Sequence, residues 1–313
     1  MQAVVIAGDH LGLVERPDPL PGDTELLVAV RAAGVNSADL AQRRGEYPAP
    51  PGWPDDIPGL ELAGEVRATG ARVRRFAVGA RVMALVGGGG QATLATVDEA
   101  HALALPDGLS WPAAGGFPEA FATAFDALFS QGGLTLGERV LVTGAAGGVG
   151  SAAVQLAAVA GARVVACVRD PALREAVAGL GAGEVIGPDE VAHHGPYDIV
   201  LELVGAASLA VVLPCLSTGG RVLVIGVGGG ATAAVDLRGL MSRRMRIGGS
   251  TLRARTSAER ALVVAALEAK VLPLLAAGRL CVPVSETFPL GRAADAYERF
   301  AVRGRLGKIV LLS

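Results

Sequence analysis

Apolar residues fall along this chain in two rhythms. Up to about residue 115 they come as short runs, AVVI, ELLVAV, AGEVRATG and ARVMALV, set apart by Pro/Gly clusters. Runs of that length bounded by turn residues predict strands. YPAPPGWPDDIPG at 47–59 predicts an irregular loop, because its prolines can neither continue a helix nor pair inside a sheet. From about Glu119 apolar runs alternate with helical segments. RVLVT (139–143) precedes a helix from about Gly148, RVVACV (163–168) a helix at 171–180, and YDIVLEL (197–203) one over 206–217. RVLVIGV (221–227), a short helix near 236–242 and the strand MRIGGS (245–250) follow. Such alternation predicts βαβ crossovers and a parallel sheet covered on both faces. After Thr256 a long amphipathic helix, SAERALVVAALEAKVLPLLAAG, leads to short strands ending in GKIVLLS, a tail that resembles the first section. The expected fold class is α/β. A doubly wound parallel sheet over 119–250 is inserted into an antiparallel β domain built from 1–118 plus 251–313.

Composition narrows the function classes. The 313 residues give room for two cores, and 51% hydrophobic residues with 44 Gly and 4% aromatics suit close packing of helices on strands. A net charge of −2 offers no attraction to nucleic acid or an anionic membrane. Cys167, Cys215 and Cys281 lie far apart in apolar surroundings, with neither metal-ligand spacing nor a disulfide framework, which fits a reducing cytoplasm. The N-terminal stretch lacks the basic leader of a signal peptide. The longest apolar stretch, from Ile199, is interrupted by Glu202, Gly205 and Pro214 and does not read as a membrane span. His10, His101, His193 and His194 are too scattered for a metal site, and the last two are expected to be solvated in a polar loop.

The chemistry begins at RVLVTGAAGGVG. A dinucleotide fingerprint needs small residues so that the turn is tight, the backbone approaches the pyrophosphate, and the helix packs close to its strand. Ala145, Gly147 and Gly150 take those three positions, and Ala146, Gly148 and Val149 complete the loop. Amides opening a helix face an anion favourably. A close-packed strand-to-helix turn without ligand is the competing reading, and the strand–turn–helix context favours the nucleotide. NAD sites place a carboxylate about 20 residues further on. Here the second strand ends in CVRDP, where Asp170 followed by proline also reads as a helix cap. Arg169 is left to meet a 2′-phosphate, favouring NADPH over NADH.

At this point the sequence resembles the zinc-free quinone oxidoreductase branch of the medium-chain dehydrogenase/reductase superfamily. Besides AAGGVG, the resemblance rests on GVNSADLAQRRGEYPAPPG (34–52), GLELAGEV (59–66), GGGGQATLATVDEAHALALPDGLS (87–110), GFPEAFATAFDAL (116–128) and GKIVL (307–311). It is strongest toward the tumour-suppressor-inducible quinone oxidoreductase group. It implies a Rossmann domain inserted into a GroES-like domain. Where zinc-dependent relatives carry a Cys and a His, this chain has Asn36 and Leu60, so zinc is not expected, and the resemblance implies no flavin. The resemblance also implies NADPH-dependent hydride transfer to a quinone or an α,β-unsaturated carbonyl.

The same resemblance assigns residues. Asn36 and Asp39 match pocket-floor positions, and Tyr47 a proton donor or carbonyl anchor; as local structure, Asn36 and Asp39 read equally as caps, and Tyr47 as packing over the proline loop. Thr123, Gly226, Val227, Ser250, Thr251 and Lys308 match cofactor contacts. The Ser/Lys pair that holds a 2′-phosphate in close relatives is missing, with Asp170 and Ala172 in its place, so the NADPH reading rests on Arg169, with Arg174 in support. A homodimer through the strand near RIGGST, with no nucleic acid or membrane partner, is the implied assembly. Two further functions stay open: an enoyl-thioester reductase of a biosynthetic pathway, and an NADPH-binding protein with little turnover, since relatives accumulate as lens crystallins.

Overall fold

The computed structural model describes every residue except Asp9 and Arg303. It divides into two compact units: Met1–Ala122, Leu252–Arg303 and Lys308–Ser313 form one, and Thr123–Thr251 with Gly304–Gly307 the other. The α/β class expected from the alternation is the one found, a largely antiparallel sheet in the first unit and a parallel one in the second.

In the first unit the sheet order is Val284–Pro289, Lys308–Leu312, Glu25–Val35, Glu61–Thr69, Arg81–Leu85 and Ala102–Ala104, and Leu94–Asp98 also pairs with Glu25–Val35. Glu25–Val35 organises this sheet by exchanging partners along one edge. Glu25–Ala29 pairs with Leu94–Asp98, then Ala32–Val35 pairs with Ile309–Leu312, while the other edge carries Glu61–Thr69. The exchange sets Lys308 beside Val35 and Asn36. Leu26, Val28 and Val30 alternate inward along the strand and share a core with Leu62, Val66, Val82, Ala84 and Val97.

The tail departs from expectation. Val284–Pro289 and Lys308–Leu312 pair in parallel, because an unanticipated helix, Ala293–Ala301, carries the chain back between them. Its buried face, Ala293, Ala296 and Tyr297, packs with Val4, Val35, Ile309 and Leu311. The expected long helix is two, Ser257–Lys270 and Leu272–Ala276, since Pro273 has no N–H to continue the first. No helix or strand lies between Tyr47 and Gly59, as the prolines dictate.

The second unit orders its strands Glu184–Ile186, Arg163–Cys167, Arg139–Val142, Tyr197–Glu202, Leu216–Val224 and Arg246–Gly249, all parallel. Strand order reverses between Arg139–Val142 and Tyr197–Glu202, the place where open parallel sheets bind ligands. Several bounds shift. The helix expected over 206–217 is Ala206–Val212, closed by a tight turn at Pro214, and Leu216 already opens the next strand. That strand stops at Val224, so Gly226 and Val227 lie beyond it. The helix expected at 171–180 is a short turn, Pro171–Leu173, followed by Arg174–Ala178. Cys281 is exposed, whereas Cys167 is buried, and burial pushes its thiol up to about 11, an inert core group. His194 is paired: its Nδ1 lies 2.7 Å from Glu184 Oε2. Among the described residues no helix is long and apolar enough to cross a membrane.

Candidate active site

The first unit holds its polar groups in a buried network. Lys308 is 3% exposed and Glu61 is wholly buried, with the ammonium 2.6 Å from Glu61 Oε1. Lys308 Nζ also donates to Asn36 Oδ1 at 2.5 Å and to the Val35 carbonyl at 3.1 Å. Asn36 Nδ2 donates to Glu61 Oε1 at 3.0 Å, and the Glu119 N–H to Glu61 Oε2 at 2.8 Å. A charge pair this deep persists only when its remaining sites are satisfied, as they are here. The approach requires Gly34, since a Cβ there would lie 2.2 Å from Glu61 Oε1.

Asn36 is the N-cap of the helix Ser37–Arg43, as one reading of the sequence had it, but its side-chain amide is turned to Glu61. Asp39 supplies the cap contact instead. Its Oδ2 accepts the Asn36 N–H at 2.8 Å and its Oδ1 the Gly59 N–H at 3.1 Å. Gln91 Nε2 approaches Asp39 Oδ2 at 3.4 Å, and the Tyr297 hydroxyl donates to Gln91 Oε1 at 2.9 Å. Complete burial raises the Asp39 carboxyl to about 6, against the lowering effect of those two amides and of the Lys308 and Arg253 charges. Asp39 therefore touches protein on every side and works by holding Asn36 and Gly59 in place.

Tyr47 begins the proline loop. Its carbonyl accepts from Arg253 Nη1 at 2.8 Å, and the Arg253 guanidinium lies 5.1 Å from its ring centroid. Tyr47 is half-buried, held beside Arg253 rather than joining the core.

In the second unit the cradle is made of backbone. Arg139–Val142 runs into Thr143, and the chain turns at Gly144, whose φ of +60° is one that L side chains rarely adopt. The helix Gly148–Val159 starts with Gly147 as N-cap, and its first internal bond is Ser151 N–H to the Gly147 carbonyl, 2.8 Å. The amides of Gly148, Val149 and Gly150 precede that bond and have no carbonyl of their own helix to meet. Ala145 is wholly buried and donates its N–H to the Cys167 carbonyl at 3.2 Å, so it anchors the turn. A Cβ on Gly150 would lie 2.4 Å from the Gly144 oxygen and 2.7 Å from Ala145 Cα, which explains the glycine by close helix–turn packing. A Cβ on Gly147 would meet only the Gly144 oxygen, at 3.4 Å; the backbone of Ala146–Val149 is half-exposed, and the Ala146 carbonyl accepts the Gly307 N–H at 2.8 Å in a bridge between Gly147 and Gly307. These features fit a dinucleotide pyrophosphate.

Other expected contacts are less uniform. Asp170 caps the turn Pro171–Leu173 by accepting the Ala172 N–H at 3.0 Å, leaving Arg169 exposed and without a hydrogen bond to any described residue. Arg174 is partly spent, 3.5 Å from Glu190 Oε2 and donating to the Val168 carbonyl at 3.4 Å. Gly226 presses on Leu203, where a Cβ would lie 2.2 Å from its carbonyl oxygen, while Val227 is 53% exposed. Thr123 is buried, Ser250 donates to Asp126 Oδ2 at 3.3 Å, and Thr251 is exposed. As site residues, Glu61, Gln91, Gly144 and Glu202 escaped the sequence reading. A carboxylate inside an apolar strand was the available signal for both acids, because it requires partners. Glu202 Oε1 accepts from the Thr143 hydroxyl (3.0 Å) and from the Val204 (2.7 Å) and Gly205 (2.9 Å) amides, tying together the ends of the two central strands.

Known proteins agree with this architecture. Residues 22–107 match the alcohol dehydrogenase GroES-like domain family, and residues 148–268 the zinc-binding dehydrogenase family. Among the described residues, however, no group of three or more His, Cys, Asp or Glu is placed to hold a metal. The human quinone oxidoreductase is 32% identical over 94% of this chain and 91% of its own length. The quinone oxidoreductase of Thermus thermophilus, solved with NADPH, is 34% identical and superposes over 100% of both chains with a TM-score of 0.87. A Streptomyces halstedii polyketide synthase, GfsB, is 32% identical over 97% of this chain, which spans 5% of that protein. With this fold and at least 32% identity to quinone oxidoreductases over 94% or more of its length, the chain belongs to the quinone oxidoreductase branch of the medium-chain dehydrogenase/reductase superfamily.

Proposed function

We propose that this oxidoreductase uses NADPH to reduce quinones or α,β-unsaturated carbonyls, without zinc. The observation that carries the reading is Lys308 on Glu61 at 2.6 Å: the buried carboxylate beside Asn36 already has its cation, and a divalent ion would meet a like charge. With its pyrophosphate at the Gly144–Gly150 turn, the dinucleotide would supply a hydride from its nicotinamide. The chain's own part is to meet the negative oxygen that develops on the acceptor. Tyr47 offers a phenolic donor for that oxygen, and Asn36, locked by Lys308 and Glu61, shapes the floor beside it. Asp39 fixes Asn36, and Arg169 is the exposed cation suited to a 2′-phosphate. Three free cysteines suit a reducing cytoplasm. The strand Arg246–Gly249, exposed and paired on one edge only, suits a homodimer, checked by sedimentation velocity.

A second reading, an enoyl-thioester reductase, is favoured by the similarity to a polyketide synthase. One experiment tests both. NADPH oxidation is followed with a benzoquinone, a simple enone and crotonyl-CoA, with and without a chelator. Turnover of quinone or enone that ignores the chelator is expected. A hundredfold preference for the thioester, about 2.7 kcal/mol in transition-state terms, selects the second reading, and loss of activity restored by zinc overturns the metal-free proposal.

A further inference from the structure

The segment Tyr47–Gly59 looks, from its sequence, like a lid. It has no strand or helix, and prolines leave it few backbone donors. It is nonetheless fastened along its length. The Asp56 carbonyl accepts the Ile6 N–H at 2.8 Å, the Ile57 carbonyl the Gly89 N–H at 2.8 Å, and the Pro58 carbonyl the Gln91 N–H at 3.0 Å. Its start is held by one side chain distant in sequence. Arg253 is 5% exposed and spends its donors in three directions, with Nη1 on the Tyr47 carbonyl at 2.8 Å, Nε on the Gly87 carbonyl at 3.0 Å and Nη2 on Gln42 Oε1 at 2.6 Å. Gln42 extends the tie, donating to the Asp55 carbonyl at 2.8 Å. Seven positions along, Arg260 lies 5.4 Å from the Trp53 ring centroid. The Trp53 indole lies against Gly87, where a Cβ would approach it within 2.7 Å.

We infer that Arg253 is a positioning residue for Tyr47: its three hydrogen bonds and its stacked face hold the ring at one place and angle, making the proline loop a fixed wall. The inference rests on Tyr47 being the group that meets the acceptor oxygen. Position matters because a displacement of about 1 Å at a reacting group costs on the order of a hundredfold in rate. Lysine at 253 keeps the charge but, as a point cation, cannot reproduce a rigid three-way fork.

The test is a double-mutant cycle on the full chain, with NADPH and a simple enone. Arg253→Lys is expected to lower kcat about 10- to 100-fold, with the enone KM and the NADPH affinity each within about threefold of wild type. Tyr47→Phe lowers kcat at least as much. In the Tyr47→Phe background, Arg253→Lys then removes no more than about twofold further, because the group it positions is gone. Equal losses in both backgrounds overturn the inference and leave the Tyr47 reading intact. A Tyr47→Phe enzyme at wild-type rate overturns both. If Arg253→Lys fails to fold, Gln42→Ala, which removes one acceptor and leaves Arg253 its two carbonyls, carries the same cycle with an expected loss of about 3- to 10-fold.

Discussion

The two units fix their candidate site groups with opposite materials. In the first, side chains hold side chains: Lys308, Asn36, Glu61 and Asp39 are buried together, and Lys308 reaches Asn36 across 272 residues of sequence. In the second, the cradle is main chain, a turn at Gly144 and the first turn of one helix, tied to Gly307 through the Ala146 carbonyl. A backbone cradle is encoded by consecutive small residues. A side-chain network is encoded by residues that meet only after the sheet has formed. The first kind tolerates no added atoms, and the second no lost partner.

The largest effect should come from breaking the network. Lys308→Met leaves the Glu61 carboxylate buried without its cation and is expected to cost about 3–5 kcal/mol of stability in urea denaturation. Replacing both, with Glu61→Leu added, should recover most of that loss. A double variant as unstable as the single one would show that the pair does not act as a unit.

Asp39 gives the network a pH signature. Its folded carboxyl titrates at about 6, above the ordinary 3.8, because burial disfavours the charge. The native state thus keeps the proton to higher pH than the unfolded chain. The associated stability is complete below about pH 4 and is lost as pH rises through 6, by about 3 kcal/mol. Asp39→Asn should flatten this part of the profile, seen in denaturation midpoints at pH 4, 5, 6 and 7. A variant profile that falls as steeply as wild type would assign the slope elsewhere.

The cradle should answer to small added side chains. Gly150→Val places atoms against Gly144 and Ala145, and NADPH affinity should fall about a hundredfold, near 2.7 kcal/mol, by fluorescence titration. Gly147→Ala meets nothing closer than 3.4 Å and should leave the melting temperature unchanged. It should still weaken NADPH about tenfold, because the added methyl stands where the ligand approaches. If both variants bind normally, the turn is only a packing device. The smallest effect is at the surface: Arg169→Ala should weaken NADPH about threefold to tenfold and leave NADH unchanged. Equal weakening of both cofactors would remove the 2′-phosphate role.

Much of the fold was legible because it is local. Alternating strand and helix signals between Arg139 and Gly249 required a parallel sheet, and the TGAAGGVG turn announced its own geometry up to one residue, since Gly144 rather than Ala145 bears the positive φ. The helix Ala293–Ala301 carries a helical signal, with Ala293, Ala296, Tyr297 and Phe300 recurring at helical spacing, that went unread between the two strand signals flanking it. In the site, Asn36 was legible as a cap, whereas Glu61 as its partner was not, nor was the hold of Arg253 on Tyr47.

The sequence by itself determined the class of sheet, the dinucleotide turn and the residue types available for chemistry, because period, turn residues and small-residue spacing act within a few positions of one another. Only the tertiary structure decided that Lys308 lies on Glu61 and Asn36, that Asp39 is buried among amides, and that the proline loop is fastened. Those outcomes depend on Glu25–Val35 exchanging one strand partner for another, a long-range register no local pattern carries. Low dielectric and enforced proximity then turn three ordinary polar residues into one unit.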